Sequence, residues 1–570
     1  MNIEEVWSRA VREAARRLWS AELEGAVLEP ASDPKFGDLS CNAALRLAKT
    51  LGKPPRQLGE TLAEELRKAG LPHLAKVDVA GAGFVNLTAA PSYHAEEIRR
   101  ILQEGPAYGR SEFGGGRRVL VEHCSANPTG PLHIAHGRQA AVGDSLANAL
   151  DFAGFRVARE FYVNDTGNQI EMLGKSILWR LSGAAEPPDE NAYRGEYVKT
   201  IAEELRAQGG EITLDRAKRF GKDRLLEDIR KDLETFRVRY DVWSSEESLH
   251  TSGKVEEVLN FFTSWGLTYE KDGATYLRTT DTGDVEDRPI VKADGTYVYR
   301  LPDMAYHRDK FRRGFEILVD LWGPDHHAHI ATMKAGLKAL NLNLVPIEKV
   351  TPPGGATPET QPVAFEVLII QHCRLLRGGE EVKMSKRAAS YVTLRELMEE
   401  VGVDATRFFF ILRKPSSHLD FDMDVAKKKS LENPVYYAQY AHARICSIYA
   451  KGLSEGKIPS VEMKDGQWRG DFDPSRIGPE EIDLLRTARQ FRRRVEIAAR
   501  DLDPSVLADY LRELSGAYQR YYEIGNRDAS KRTLADDDGL RRARLATASA
   551  VQQVLRNGFR LLGLSAPEQM

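Results

Sequence analysis

One short stretch limits the fold more than any other. Val119-Leu-Val is an apolar strand, Asn127-Pro-Thr-Gly-Pro131 cannot be helical, and Ile134 to Phe152 is alanine-rich at helical spacing. Gly154 then stops the helix, and Arg156 to Tyr162 has the character of a second strand. Two strands joined through a helix lie parallel, and a parallel sheet must be covered on both faces. Phe315–Leu321 and Ala364–Ile370 are near-continuous apolar runs, as doubly buried strands require. The pattern predicts a doubly wound α/β domain of Rossmann type, with ligands at the carboxyl ends of the strands.

The rest of the chain is organised around that unit. At 570 residues, about three or four domains are expected. Residues 1–112 read as an α+β unit, with helices at Ala43–Lys49 and Leu58–Lys68 and a hairpin through Val77–Leu87 turning on Gly81-Ala-Gly83. Glycine-rich residues 105–116 form a linker, and the α/β domain runs over 117–393. It is interrupted by a polar, charged insertion of about 181–290, with helices at Val198–Ala207, Arg216–Tyr240 and Val255–Trp265 and a β-like Ala274–Thr279. Thr351–Pro358 is a low-complexity loop. Beyond Leu394 no strong strand signal remains: 394–430 is a helical stem and 431–570 an all-α domain.

Composition narrows the function classes. No run of about 18 apolar residues occurs, so no membrane span is expected. Met1–Arg17 mixes charge with apolar residues at helical spacing and lacks a signal core, so a folded amphipathic helix in a cytoplasmic protein is expected. Cys41, Cys124, Cys373 and Cys446 are too scattered for a thiolate zinc site or a disulfide framework, and no protein-held metal is expected. The net charge of −3 leaves room for a local basic surface facing nucleic acid.

Two motifs carry chemistry. In Pro131-Leu-His133-Ile-Ala135-His136-Gly137 the histidines are three apart where a loop enters a helix, so they share one face. The free N–H groups of that helix start attract anions, and the imidazoles can donate to phosphate or ribose oxygens. Val382-Lys383-Met384-Ser385-Lys386-Arg387 places three cations in a loop after a buried strand, suited to a pyrophosphate leaving group.

Together the motifs resemble the signature pair of the class I aminoacyl-tRNA synthetases. The second matches letter for letter, while Ala135 stands where the family usually has glycine and would crowd the adenine. Glu122-His-Cys-Ser125-Ala-Asn127, Phe161–Gln169, Trp322-Gly323-Pro-Asp325-His326-His327 and Asn433–Arg444 are similar to the arginyl enzymes. Pro34-Lys-Phe-Gly37-Asp38 and Gly81–Leu87 resemble their N-terminal domain. The resemblance covers nearly the whole chain and is weakest in the insertion.

It implies arginine, ATP with Mg2+, and tRNA(Arg) as partners, and a monomer. Tyr299 and Asp303 would contact the guanidinium, whose planar fork of donors suits a carboxylate. Glu122, Ser125 and Asn127 would hold the amino and carboxylate ends or part of the guanidinium. ATP would lie over Pro131, His133, Ala135, His136 and Gly137, with Gly323, Asp325 and His326 at the nucleoside and Val382, Met384, Ser385 and Lys386 at the phosphates. His133, His136, Lys383 and Lys386 would be catalytic. The C-terminal domain would bind the anticodon through Tyr436, Tyr437, Tyr440 and Arg444, beside His442 and a second cluster of Tyr518, Arg520, Tyr521, Tyr522 and Arg527. Core packing explains part of both clusters. Lys35, Phe36 and Asn86 would meet the tRNA elbow. The rival readings are another class I synthetase, a tRNA-binding adaptor without activity, and a small-molecule nucleotidyltransferase.

Overall fold

The computed structural model describes residues 3–31, 33–351, 361–382 and 391–570. Its centre is a six-stranded sheet of β1 (Arg118–Glu122), β2 (Arg156–Val163), β3 (Val242–Ser245), β4 (Ile317–Trp322), β5 (Asn343–Leu344) and β6 (Pro362–Ile369), in the order β5-β6-β4-β1-β2-β3. Every pairing is parallel. Alternate residues of one strand enter opposite cores, as period-2 side chains must. Val119 and Val121 join the core that continues into the C-terminal helices, whereas Leu120 joins one built on the other face. Helix α1 (Ile134–Phe152) lies on the first face, and its bounds match those expected from the sequence.

Two differences from expectation concern strands. Val242–Ser245, inside the stretch expected to be an insertion, is the edge strand of the central sheet and pairs with β2 through Glu160↔Val242 to Val163↔Ser245. The inserted material is therefore two pieces. A helical one packs Leu173 and Ile177 against Val198, Ile201 and Leu205, and a three-stranded antiparallel one spans Thr268–Lys271, Ala274–Leu277 and Arg288–Val291. Beyond Leu394, Leu419–Asp422 pairs in parallel with Cys373–Arg377, burying Leu419 and Phe421 and exposing Asp420. Four residues with two aspartates carry little strand signal alone, and the pairing supplies it. Most of the loop expected at Thr351–Pro358 lies outside the described residues.

The N-terminal unit is a four-stranded antiparallel sheet with helices Ile3–Trp19, Ala43–Leu51 and Pro55–Lys68. The glycine-rich 105–116 stretch is not a free tether. Asn557 donates to the carbonyls of Gly105 and Tyr108 at 2.9 and 3.1 Å, fixing it to the last helix. The C-terminal domain comprises α4 (Pro434–Ser454), α5 (Pro479–Ala488), α6 (Phe491–Arg500), α7 (Ser505–Arg527) and α8 (Asp538–Leu561), with a two-stranded hairpin at Met463–Lys464 and Gln467–Trp468. Among the described residues no helix is long and apolar enough to cross a membrane.

Candidate active site

The sites cluster where β1, β2, β3 and β4 end. After β1 the backbone reverses through Cys124 and Ser125, at φ +68° and +38°. Left-handed geometry at two consecutive non-glycine residues costs energy and marks a constrained turn. It folds Ser125 back so that its hydroxyl donates to Glu122 at 2.9 Å and accepts from the Tyr162 amide at 3.0 Å. Asn127 donates to Gln169 at 2.8 Å.

The chain then enters α1 at His133. The His133 amide donates to His136 Nδ1 at 3.4 Å, and the two rings stack at 3.7 Å. Both histidines face a cleft of about 300 Å3, which Asn127, Thr129, Gly130, Pro131, Gln169 and Tyr391 also line. Two glycines let α1 sit so deep. A Cβ on Gly137 would come within 2.7 Å of Leu394, and one on Gly143 within 2.2 Å of His123.

Lys383, Met384, Ser385 and Lys386 lie outside the described residues, but both ends of their segment are placed. Arg138 of α1, fully buried, donates to the carbonyls of Gln371 and Ser417 at 2.7 and 2.8 Å, pinning the strand that leads into the lysine segment. Val382 donates to Leu375 at 2.9 Å. On return, Tyr391 meets the edge of the His133 ring at 6.1 Å, and the Leu394 amide bonds the Leu132 carbonyl at 2.8 Å. The segment thus leaves from a strand tied to α1 and re-enters beside the histidine motif.

On the other side lies α3 (Arg300–Arg312; α2 is Glu246–Thr251, directly after β3). Pro302 sits in its first turn, where a missing N–H costs nothing, and Asp303 follows. Asp303 Oδ2 takes a bond from His329 Nε2 at 2.8 Å, and Oδ1 lies 3.1 Å from His307 Nδ1. His307 Nε2 bonds Asp320 Oδ2 at 2.7 Å; Lys310 bonds Asp320 Oδ1 at 3.1 Å and also Glu122. Burial opposes the charge on Asp303, but His307 and His329 outweigh it and hold the carboxyl well below the usual range. Burial and Lys310 press His307 toward neutrality, yet Asp320 and Asp303 win and raise it to about 10.

Of the residues expected at the arginine pocket, the structure joins Glu122 to Ser125 directly and to Asp303 through this buried chain; Tyr299 is exposed at the rim, its ring 5.3 Å from His329. Gly323 begins the turn after β4 near Gln139 of α1, while Asp325 and His326 are exposed. Sequence reasoning missed three residues. His329, two residues beyond the Trp322–His327 motif, bonds Asp303. Glu246, first residue of α2, hydrogen-bonds Tyr162 and is pushed up by burial, with Asp303 nearby. Lys310 is fully buried between two acids.

The expected tRNA contacts divide. Arg444 lies between the rings of Tyr440 and Tyr522, 4.4 and 4.1 Å from their centroids, with Tyr436 stacked on Tyr440 at 5.9 Å; all are partly accessible. Tyr437 is likewise partly exposed. His442, Tyr518 and Tyr521 are core residues, and His442 bonds the Pro567 carbonyl at 2.8 Å. In the N-terminal unit Lys35 and Phe36 are exposed, the ammonium 4.9 Å from the ring centroid. Asn86 is buried and accepts the Ser40 hydroxyl at 2.8 Å, so its side chain holds the sheet together.

A parallel sheet with a paired-histidine helix start at one strand end, the anchors of a lysine segment beside it and a helical domain behind defines a class I tRNA synthetase. The family model described as tRNA synthetases class I (R), catalytic domain, matches residues 97–182 and 196–349. The arginyl tRNA synthetase N terminal domain matches 5–89, and the DALR anticodon binding domain matches 438–570. Arginine–tRNA ligases of Bacillus subtilis and Oleidesulfovibrio alaskensis are 42% and 41% identical to the chain, covering 96% and 95% of it and 95% of each relative. The chain belongs to the arginine–tRNA ligase family. The Thermus thermophilus arginyl-tRNA synthetase structure has the same fold, with a TM-score of 0.72 at 22% identity over the full length of both chains.

Proposed function

We propose that this enzyme ligates L-arginine to tRNA at the expense of ATP, and that the pocket between Glu122 and Asp303 selects the amino acid. The observation that carries the reading is Asp303: a carboxylate kept charged by two imidazoles, at the carboxyl edge of the sheet, with a quarter of its surface open. A guanidinium answers such a group with two parallel donors. Glu246, hydrogen-bonded by Tyr162, supplies a second acid toward the same end, with Tyr299 over the rim.

The arginine carboxylate attacks the α-phosphorus of ATP, pyrophosphate leaves, and a terminal ribose hydroxyl of the tRNA then takes the arginyl group. His133 and His136, at the amide end of α1, orient the triphosphate; Pro131, Ala135 and Gly137 shape the floor beneath it. Gly323, Asp325 and His326 meet the nucleoside. Val382 and Met384–Lys386 follow the phosphates, with Lys383 and Lys386 offsetting charge that grows on the leaving pyrophosphate. Magnesium carried by the nucleotide would supply further positive charge at the phosphates, with no residue of the chain expected to hold it. Positioning and fixed charge supply the rate, without a covalent enzyme intermediate. Tyr436, Tyr437, Tyr440 and Arg444 offer a partly open aromatic and cationic surface for splayed anticodon bases. Lys35 and Phe36 face the elbow, and the enzyme acts as a cytoplasmic monomer.

The test is pyrophosphate exchange across the twenty amino acids, with and without tRNA. Exchange with arginine alone among them is expected. Exchange with a different amino acid, or tRNA binding without any exchange, would defeat the reading. Asp303→Ala should raise the arginine requirement roughly 10- to 100-fold, the loss of a charged hydrogen-bond acceptor, and move the ATP requirement far less. Equal effects on both would remove Asp303 from the pocket.

A further inference from the structure

We propose that His307 is a positioning residue for arginine: as a doubly protonated imidazolium clamped between Asp303 and Asp320, it leaves the pocket with one uncompensated negative charge and aims that charge at the substrate. The proposal rests on the arginine-pocket reading above.

The geometry requires both ring protons. Nδ1 faces the Asp303 backbone carbonyl at 2.8 Å and its carboxylate at 3.1 Å, while Nε2 faces the Asp320 carboxylate at 2.7 Å. These oxygens only accept. A neutral ring would turn one lone pair onto an acceptor in a site that is almost fully buried. From its own helix His307 meets Asp303 and Lys310; from β4 it meets Asp320; from β1 it feels Glu122; the Phe365 ring of β6 packs edge-on at 4.9 Å. The raised protonation range of His307 agrees with this setting.

Charge then alternates along a buried chain: Glu122, Lys310, Asp320, His307, Asp303. His329 reaches the other Asp303 oxygen at 2.8 Å as a neutral Nε2–H donor, so three acids oppose two bases and one negative charge is left over. Glu122 is spoken for by Lys310 and Ser125, and Asp320 by Lys310 and His307. Only Asp303 keeps substantial exposure, so the unmatched charge emerges there. The chain also ties the β1 wall of the pocket to the α3 wall, fixing the distance between the two ends of the amino acid. A monocation of arginine's length closes the count, whereas a neutral isostere such as citrulline leaves it open.

The experiment measures L-arginine binding to the full-length enzyme by calorimetry, together with steady-state aminoacylation. It compares the wild type with Asp303→Asn, His307→Gln and Asp320→Asn. His307→Gln keeps one donor but loses the charge that keeps both facing carboxyls ionised, so the pair takes up a proton, Asp303 no longer carries a held charge, and arginine Kd and KM should rise about 10- to 100-fold while kcat and the ATP KM change less than about threefold. Asp320→Asn removes the charge that holds the second proton while sparing the shape. With one acid gone the chain is neutral, so arginine affinity should be low near about pH 7 and recover toward about pH 9 as His307 gives up that proton, a range over which the wild type stays flat. Unchanged arginine affinity in His307→Gln, alongside a loss in Asp303→Asn, would overturn the role of His307 and leave the pocket standing. No loss in Asp303→Asn would bring down the pocket and the inference together. Should His307→Gln not fold, 15N-histidine spectra of the wild type decide: two N–H signals for the buried ring at pH 8 support the clamp, and a single one refutes it.

Discussion

Asp38 joins the two ends of the chain, and its removal gives the sharpest test of how the domains are held. Its carboxylate, 1% exposed, accepts from the Ala89 amide at 2.9 Å, from Arg486 of α5 at 3.0 Å and from Arg489, just beyond α5, at 3.2 Å. Burial opposes this charge, but Arg489, the Ala89 amide and Arg486 outweigh it and keep the carboxyl below its usual range. Gly37 makes the approach possible: it is left-handed at φ +89°, and a Cβ there would lie 2.8 Å from the Leu87 carbonyl. Asp38→Ala strands Arg489, whose side chain is 8% exposed, and leaves the Ala89 amide without its acceptor. Breaking a buried pair from one side costs about 3–5 kcal/mol. Arg486 retains Asp483 at 2.7 Å and is one-fifth exposed, so its share is small and about 3 kcal/mol is expected. Hydrogen exchange followed by mass spectrometry is the assay, since a chain of several domains need not unfold in one step. Amides of Leu39–Cys41, Phe84–Ala89 and α5 should lose protection together, and Arg489→Met placed on Asp38→Ala should restore most of it. A loss below about 1 kcal/mol, or one confined to the N-terminal sheet, would show that Asp38 does not carry the junction.

Other outcomes follow from single contacts. Gly143→Ala drives a methyl to 2.2 Å from His123 and should destabilise the catalytic domain by about 1–3 kcal/mol or more, read as a lowered Tm; an unchanged Tm would contradict the close packing of α1 on β1. Acid should unfold the protein early. His94, His123 and His442 are held down by burial, to about 4, 3 and 4, so each is neutral when folded. Their stability is fully present above about pH 6.5 and is lost as pH falls toward their folded values, at about 1.4 kcal/mol per pH unit for each ring. Denaturant midpoints that stay level from pH 6.5 to pH 4.5 would refute this. Ala135→Gly, in the first turn of α1, should tighten ATP if its methyl crowds the adenine, and nucleotide titration with unchanged affinity would remove that concern.

What the sequence made legible was whatever local pattern encodes. Helix α1 reads from Ile134 to Phe152 because loop residues and a glycine bound it. The apolar strands read because both of their faces are buried. Edge strand β3 did not, because Val242-Trp-Ser-Ser becomes a strand only through its pairing with β2. The histidine motif and Asp303 were legible as motifs, whereas the partners of Asp303 were not, since His329 and Asp320 are brought to it by tertiary packing. Yet one signal was present. Asp320 stands inside Leu318-Val-Asp-Leu321, Glu160 inside β2, and Glu122 ends β1, all in strands that parallel packing buries. An acid in such a strand demands a buried partner. Helix α3 answers all three from one stripe: Tyr306 bonds Glu160 at 2.7 Å, His307 bonds Asp320, and Lys310 bridges Asp320 and Glu122. Those residues are spaced i, i+1 and i+4, beginning three after Asp303, so one hydroxyl donor, two counter-charges and the proposed arginine ligand share one helical face. Buried ion pairs add little net stability compared with well-packed apolar side chains. A sheet that keeps three of them under one helix is therefore better explained by what they position than by what they stabilise, and what they position is Asp303.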